Sequence, residues 1–157
     1  MKILVDADAC PVKKLIVEAA KRHGIPVTML IDTSHVLDDG YSKVITVDKG
    51  RDSADIRLVN LIEPGDLVVT QDFGVAAMSL SRGAKALNQN GLIYGENNMD
   101  RLLFERALRQ KIRRAGGRAG KNKKRTAKDD ESFAEQLEFL LRQSEETEET
   151  QNNGSNI

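Results

Sequence analysis

Short uninterrupted apolar runs recur along the first ninety residues, each followed by turn residues and then by a stretch with helical spacing. Ile3, Leu4 and Val5 form the first run, and VTMLI at 27–31, VITV at 44–47 and LVVT at 67–70 form three more. Runs of this length bounded by turn signals predict strands buried on both faces. Between the first two, Val12, Leu15, Ile16, Ala19 and Ala20 share one helical face, which Pro11 opens and Gly24 stops. A second helix is predicted behind Asp52 or Ser53, either of which can cap it, with Ile56, Val59 and Ile62 turned inward and Pro64-Gly65 closing it. Residues from Phe73, FGVAAMSLSRG, give a third helix, and 85–90 with 92–94 read as one or two short edge strands.

The pattern changes after residue 96. Asn97 or Asn98 can cap a helix that starts near Met99, with Leu103, Ala107, Leu108 and Ile112 as its apolar stripe. Arg101, Arg109 and Arg113 fall on another face of that helix. Residues 116–128, GGRAGKNKKRTAK, lack periodicity and read as a flexible basic linker. Phe133, Leu137, Leu140 and Leu141 mark an amphipathic helix over 129–143, and the acidic residues 144–157 are expected to be disordered. Strands alternating with helices over 1–115 predict one α/β domain, a three-layer α/β/α sandwich around a mostly parallel sheet. Ligands of such sheets bind outside the carboxyl ends of the strands.

A chain of 157 residues has room for one domain with a sizeable core, and 31% charged with 39% hydrophobic residues suits a globular protein. No apolar run is long enough to span a bilayer, and the apolar stretch before Asp6 is too short for a secretory signal. The single cysteine, Cys10, leaves no internal disulfide to form, so a cytoplasmic location is expected. The net charge of zero conceals three blocks: −3 over 1–100, +11 over 101–128 and −8 over 129–157. The middle block, with 12 basic residues and one acidic, points to phosphate contacts and a nucleic-acid partner. It contains no row of aromatic stacking residues, unlike a dedicated single-strand binder. Arg101, Arg109, Arg113 and Arg114 are the candidate substrate contacts there.

The charge pattern gains meaning at the strand ends. Asp6, Asp32, Asp48 and Asp72 each follow a predicted strand, and Asp8, Asp52 and Asp55 sit close behind. In a parallel sheet these ends share one edge, where clustered carboxylates favour a hard cation, Mg²⁺ or Mn²⁺. Each acid also has an ordinary use: Asp8 and Asp72 as helix caps, and Asp55 at the positive end of its helix. Asp32 and Asp48 read as loop acids, so the metal reading rests on Asp6, Asp8, Asp55 and Asp72 together. Cys10 has no obvious base beside it and reads as a packing residue. His23 and His35 read as a helix-end and a loop residue, and Lys13 and Lys14 as a solvated helix face.

VDADACPV, GRDSADIRLV, VVTQDFGVA with SRGAKAL, and NGLIYGENNMDRLLFERALRQKIRRAGGR resemble the YaiI/YqxD family of small bacterial proteins, in the same order. That family is similar to PIN-like and NYN-like domains, which implies an α/β/α sandwich with the acidic site of a Mg²⁺-dependent ribonuclease. The resemblance implies roles for Asp6 at the end of the first strand, Ala54-Asp55 at the start of a central helix and Thr70-Gln71-Asp72 after a later strand. Asp6 and Asp72 would be the main metal ligands, with Asp55 and Asp8 as ligands or water-positioning groups and Thr70 near substrate or water. The PIN pattern also carries an acid between the first strand and the central helix. No residue plainly matches it; Glu18 lies on the first helix, and Asp8 or Asp52 are the substitutes.

RNA is favoured over DNA as substrate. Two other readings compete. In one, D-x-D is the nucleophile and acid/base pair of a haloacid-dehalogenase-like phosphatase, with Asp6 as nucleophile and Thr70 and Lys85 as its later partners. Such enzymes also need a late acidic pair, and none stands behind a predicted strand after Lys85 to complete that set. In the other, the chain is a non-catalytic RNA- or ribosome-associated protein that keeps the PIN-like fold.

Overall fold

A computed structural model describes residues 1–32, 36–48, 54–117 and 124–154. The apolar run Ile3–Asp6 is the central strand β1, paired in parallel with β2, Val27–Asp32, on one side and β4, Leu67–Val69, on the other. β3, Lys43–Val47, extends the sheet beyond β2, and β5, Lys85–Leu87, extends it beyond β4, both in parallel. β6, Ile93–Tyr94, closes antiparallel on β5, which gives the order β3-β2-β1-β4-β5-β6. Ile3, Leu4 and Val5 have no exposed surface because both faces of β1 are covered, which is why the run shows no polar alternation.

The two faces have separate cores. On one, Ile3, Val5, Met29 and Leu67 pack against α1, Lys13–His23, and α5, Ala127–Gly154. On the other, Leu4, Leu30 and Val68 pack under α2, Ala54–Leu61, and α3, Phe73–Ser81. α4, Glu96–Arg114, lies beside α3, where Met99 and Leu102 border Ala86 and Tyr94. Helices therefore lie on both faces, giving the three layers expected from the sequence.

Several elements differ from the expectation. α1 begins after Val12, so Pro11 precedes the helix, and Gly24 ends it in the left-handed conformation (φ 65°) that glycine adopts without strain. α2 buries Leu58, and Ile62 just beyond its end is buried as expected, whereas Ile56 is 57% exposed because the inward side of the helix falls on 58 rather than on 56. Its expected caps, Asp52 and Ser53, lie outside the described residues, as does His35. α4 starts three residues before Met99; the Asn98 side chain accepts a 2.9 Å hydrogen bond from the Gly95 N–H at the helix start.

α5 is longer than its apolar stripe. Phe133, Leu137, Leu140 and Leu141 are buried as expected, but the helix runs through 144–154, where the composition suggested disorder. Glu138 and Glu145 reach His23 on α1, at 2.9 and 2.5 Å, and Glu148 lies 4.0 Å from the N-terminal ammonium. Of the expected linker 116–128, residues 118–123 lie outside the described residues. Arg125 is anchored by Asp130 (2.8 Å), Asn90 (2.9 Å) and the Gln89 carbonyl (2.7 Å). No described helix is long and apolar enough to cross a membrane.

Candidate acidic site at the strand carboxyl ends

The strand order reverses between β1 and β4, because the chain leaves β1 toward β2 and leaves β4 toward β5. A crevice opens at such a reversal, outside the carboxyl ends of the two strands. Asp6 is the last residue of β1, and Thr70 and Asp72 directly follow β4.

Thr70 ties the two strand ends together. Its side chain is buried, and its Oγ1 donates to Asp6 Oδ2 (3.3 Å) while accepting the Asp72 N–H (3.0 Å). The Tyr94 hydroxyl donates to the Thr70 carbonyl (3.3 Å) from below. Thr70 thus braces the acids from within the fold; a direct substrate contact, one of the expectations for it, does not match its burial. Asp72 caps α3, its Oδ1 accepting the Val75 N–H (2.9 Å), so the capping reading and the site reading describe the same side chain.

The DADACP turn is held equally firmly. Asp8 Oδ2 accepts the Asp32 N–H (3.0 Å), which joins the turn to the end of β2, and α1 has no side-chain cap. Asp8 therefore does not cap α1. Ala9 is held at φ 56°, a left-handed conformation that costs a residue with a Cβ. Its carbonyl accepts from Gln71 Nε2 (3.3 Å), and the Ala7 carbonyl accepts from Lys13 Nζ (3.3 Å). Backbone strain maintained by surrounding contacts is a feature of sites. Cys10 is buried next to this turn, and burial raises its thiol pKa, which fits packing and not nucleophilic work.

The acids sense one another. Burial first, and then the charges of Asp55, Asp72 and Asp8, push the Asp6 carboxyl up to about 6 against the hydrogen bond from the Thr70 hydroxyl, which lowers it. Asp55, in the first turn of α2, is raised by burial and by the charge of Asp72. Of the predicted ligands, Asp6, Asp8, Asp55 and Asp72 are thus gathered at one edge, while Asp52 lies outside the described residues. Glu18 is exposed on α1 and Asp48 is exposed after β3. Among the described residues, no group of three His, Cys, Asp or Glu side chains is close enough to hold a metal ion unaided. Mg²⁺ is usually held by one or two carboxylates, with water and substrate phosphate completing its shell, and the donors present fit that looser arrangement.

A cleft of about 500 Å³ runs from Asp72 and Gln71 to α4. Arg106, Arg109 and Arg113 line its α4 side, and Phe73 and Tyr94 contribute an aromatic floor. Two of the four predicted arginines, Arg109 and Arg113, therefore meet the acidic edge, whereas Arg101 and Arg114 are exposed elsewhere on α4. Arg106 was missed, although its spacing of three from Arg109 and seven from Arg113 places it on their face.

The family profile described as "Uncharacterized BCR, YaiI/YqxD family" matches residues 4–143. A UPF0178 protein of Ruminiclostridium cellulolyticum is 65% identical over 142 residues, covering 90% of this chain and 93% of its own. UPF0178 proteins of Alkaliphilus oremlandii (52% over 133 residues, 85% of this chain and 86% of that one) and Clostridium kluyveri (50% over 141 residues, 90% and 93%) are also similar. Among solved structures, that of a mutant of Rae1 (YacP) from Bacillus subtilis aligns over 92% of this chain and 99% of its own, at 18% identity and a TM-score of 0.44.

Proposed function

The chain belongs to the YaiI/YqxD family, and from its site we propose that it is a Mg²⁺- or Mn²⁺-dependent nuclease that hydrolyses phosphodiester bonds, preferably in RNA. One observation carries the reading: near the strand switch point Asp6 and Asp55 are raised first by burial and then by the charges of neighbouring acids, Asp72 acting on both, and Asp6 reaches about 6. A divalent cation relieves such repulsion. Asp6 and Asp72 would hold it, and Asp55 and Asp8 would complete the ligand set or position water. When bound, it would lower the pKa of water to supply a nucleophile and offset charge on the phosphate oxygens.

The remaining work falls to the chain. Thr70 holds Asp6 and the Asp72 turn at a fixed separation through its two hydrogen bonds. Arg106, Arg109 and Arg113 bind phosphates of a strand lying in the cleft, bringing one of them to the acids at its end.

The test is cleavage of end-labelled RNA with Mg²⁺, Mn²⁺ or EDTA, for the wild type and Asp6→Asn, alongside p-nitrophenyl phosphate. Metal-dependent cleavage that the variant loses supports the nuclease. Monoester hydrolysis with a trapped acyl-phosphate on Asp6 would select the phosphatase reading instead. The lack of a three-acid cage among the described residues favours one further alternative, a non-catalytic RNA-associated protein. It predicts RNA binding that survives EDTA with no turnover.

A further inference from the structure

α4 is 19 residues long and contains no buried residue, although every other helix of the fold buries part of one face. Its arginine face lines the cleft, and the apolar stripe visible in the sequence points the other way. Leu103 is 51%, Phe104 69% and Leu108 46% exposed, with Ala107 exposed between them. Asp100, Leu103, Phe104, Ala107, Leu108 and Lys111 follow the three-and-four spacing of a helix-packing seam, apolar in the middle and charged at each end. An apolar strip of this kind on a surface marks an interaction site.

The seam reads the same from either end. Around an axis crossing the helix between Glu105 and Arg106, Leu103 faces Leu108, bulky Phe104 faces small Ala107, and Asp100 faces Lys111. In the same register Arg101 lies at the level of Gln110 and Arg114 at the level of Asn97, so no cation meets a cation. An isologous interface needs this property, since each patch must complement itself under a two-fold rotation. We propose that this face of α4 pairs antiparallel with the same face of a second copy of the chain, making a two-fold dimer. The charge pairs at the two ends fix its register, and the arginine-lined clefts remain open on the outer sides.

The test uses the full chain in sedimentation velocity across a dilution series up to about 100 μM, a range suited to micromolar pairing. The wild type is expected to dimerise, and Phe104→Glu to shift its dissociation constant at least tenfold towards monomer. Phe104 is mostly exposed, so the variant is expected to keep the wild-type circular dichroism and melting temperature. Asp100→Lys and Lys111→Asp should each weaken the dimer, and the double exchange D100K/K111D should restore it. A wild type that stays monomeric, or a dimer indifferent to Phe104→Glu, overturns the proposal. So does a double exchange that fails to recover association, since it removes the antiparallel register. A Phe104→Glu variant that loses RNA retention while its mass distribution is unchanged would assign the face to nucleic acid and also overturn it.

Discussion

The carboxyl of Asp6 ionises against burial and against three neighbouring acids, and its pKa of about 6 lies above the ordinary 3.8. A group whose folded pKa exceeds its unfolded value favours the folded state only while protonated. Its penalty is therefore absent below about pH 4, grows through the interval between the two values and is complete above about pH 6. In EDTA, Asp6→Asn is expected to stabilise the fold by about 1–2 kcal/mol at pH 7.5, after allowance for partial solvent screening, with no gain at pH 4. Urea unfolding at the two pH values measures this. Mg²⁺ should raise the melting temperature of the wild type and leave that of the variant nearly unchanged. Thr70→Val removes the acceptor of the Asp72 N–H and the donor to Asp6, and is expected to cost about 1–3 kcal/mol in the same assay. At this scale the sequence was readable where a residue type sat at a strand end, as with Asp6 and Asp72. It was not readable for Thr70, because a hydroxyl that braces from inside and one that touches substrate look alike without burial.

Elements were legible to the extent that their apolar positions were buried. The strands ILV, VTMLI and LVV stand where uninterrupted runs put them, because a strand covered on both sides has no polar face to show. Periodicity reports that a helix has an apolar stripe but not what covers it, which is why α4 could be located while the outward direction of Leu103 and Leu108 could not. The end of α5 was lost for the opposite reason: residues 144–154 are held by charge and helix continuity and carry no apolar signal. His23 offers both ring nitrogens to carboxylates, first Glu145 and then Glu138, and these hydrogen bonds raise its pKa. A histidine raised in the fold contributes its stability fully below its unfolded value near 6.5 and loses it as pH climbs through the raised folded value. Amide hydrogen exchange in 144–154, corrected for the intrinsic pH dependence, is therefore expected to accelerate above neutrality, and His23→Gln should make it pH-independent. Phe133→Ala empties a fully buried site between α5 and the sheet, and should cost about 3–5 kcal/mol in urea unfolding.

For the whole molecule, charge is separated by position. Asp72 at the sheet edge and the arginines of α4 line one cleft, while α5 carries its carboxylates on the far side of the sheet. A strand bound in the cleft releases counterions from each arginine it meets, so binding should weaken steeply with salt. Replacing Arg106, Arg109 and Arg113 with alanine should flatten the plot of log K against log salt by about 2, at roughly 0.7 per contact for a single strand. Arg101→Ala, outside the cleft, should leave the slope unchanged. The layered α/β architecture could be read from strand–helix alternation, but the cleft could not, since it depends on how α4 lies against α3.

The chain's last long helix seals the face of its first strand: Phe133 and Leu137 belong to the same core as Ile3 and Val5. During synthesis that face is covered by α1 alone until residues 133–141 have left the ribosome, so its core cannot close fully before α5 is made. An interrupted product ending before residue 133 would leave that apolar core covered only by α1, which makes it a ready substrate for chaperones and proteases. Quality control would thereby remove fragments that retain the acidic edge without the helix that completes the fold.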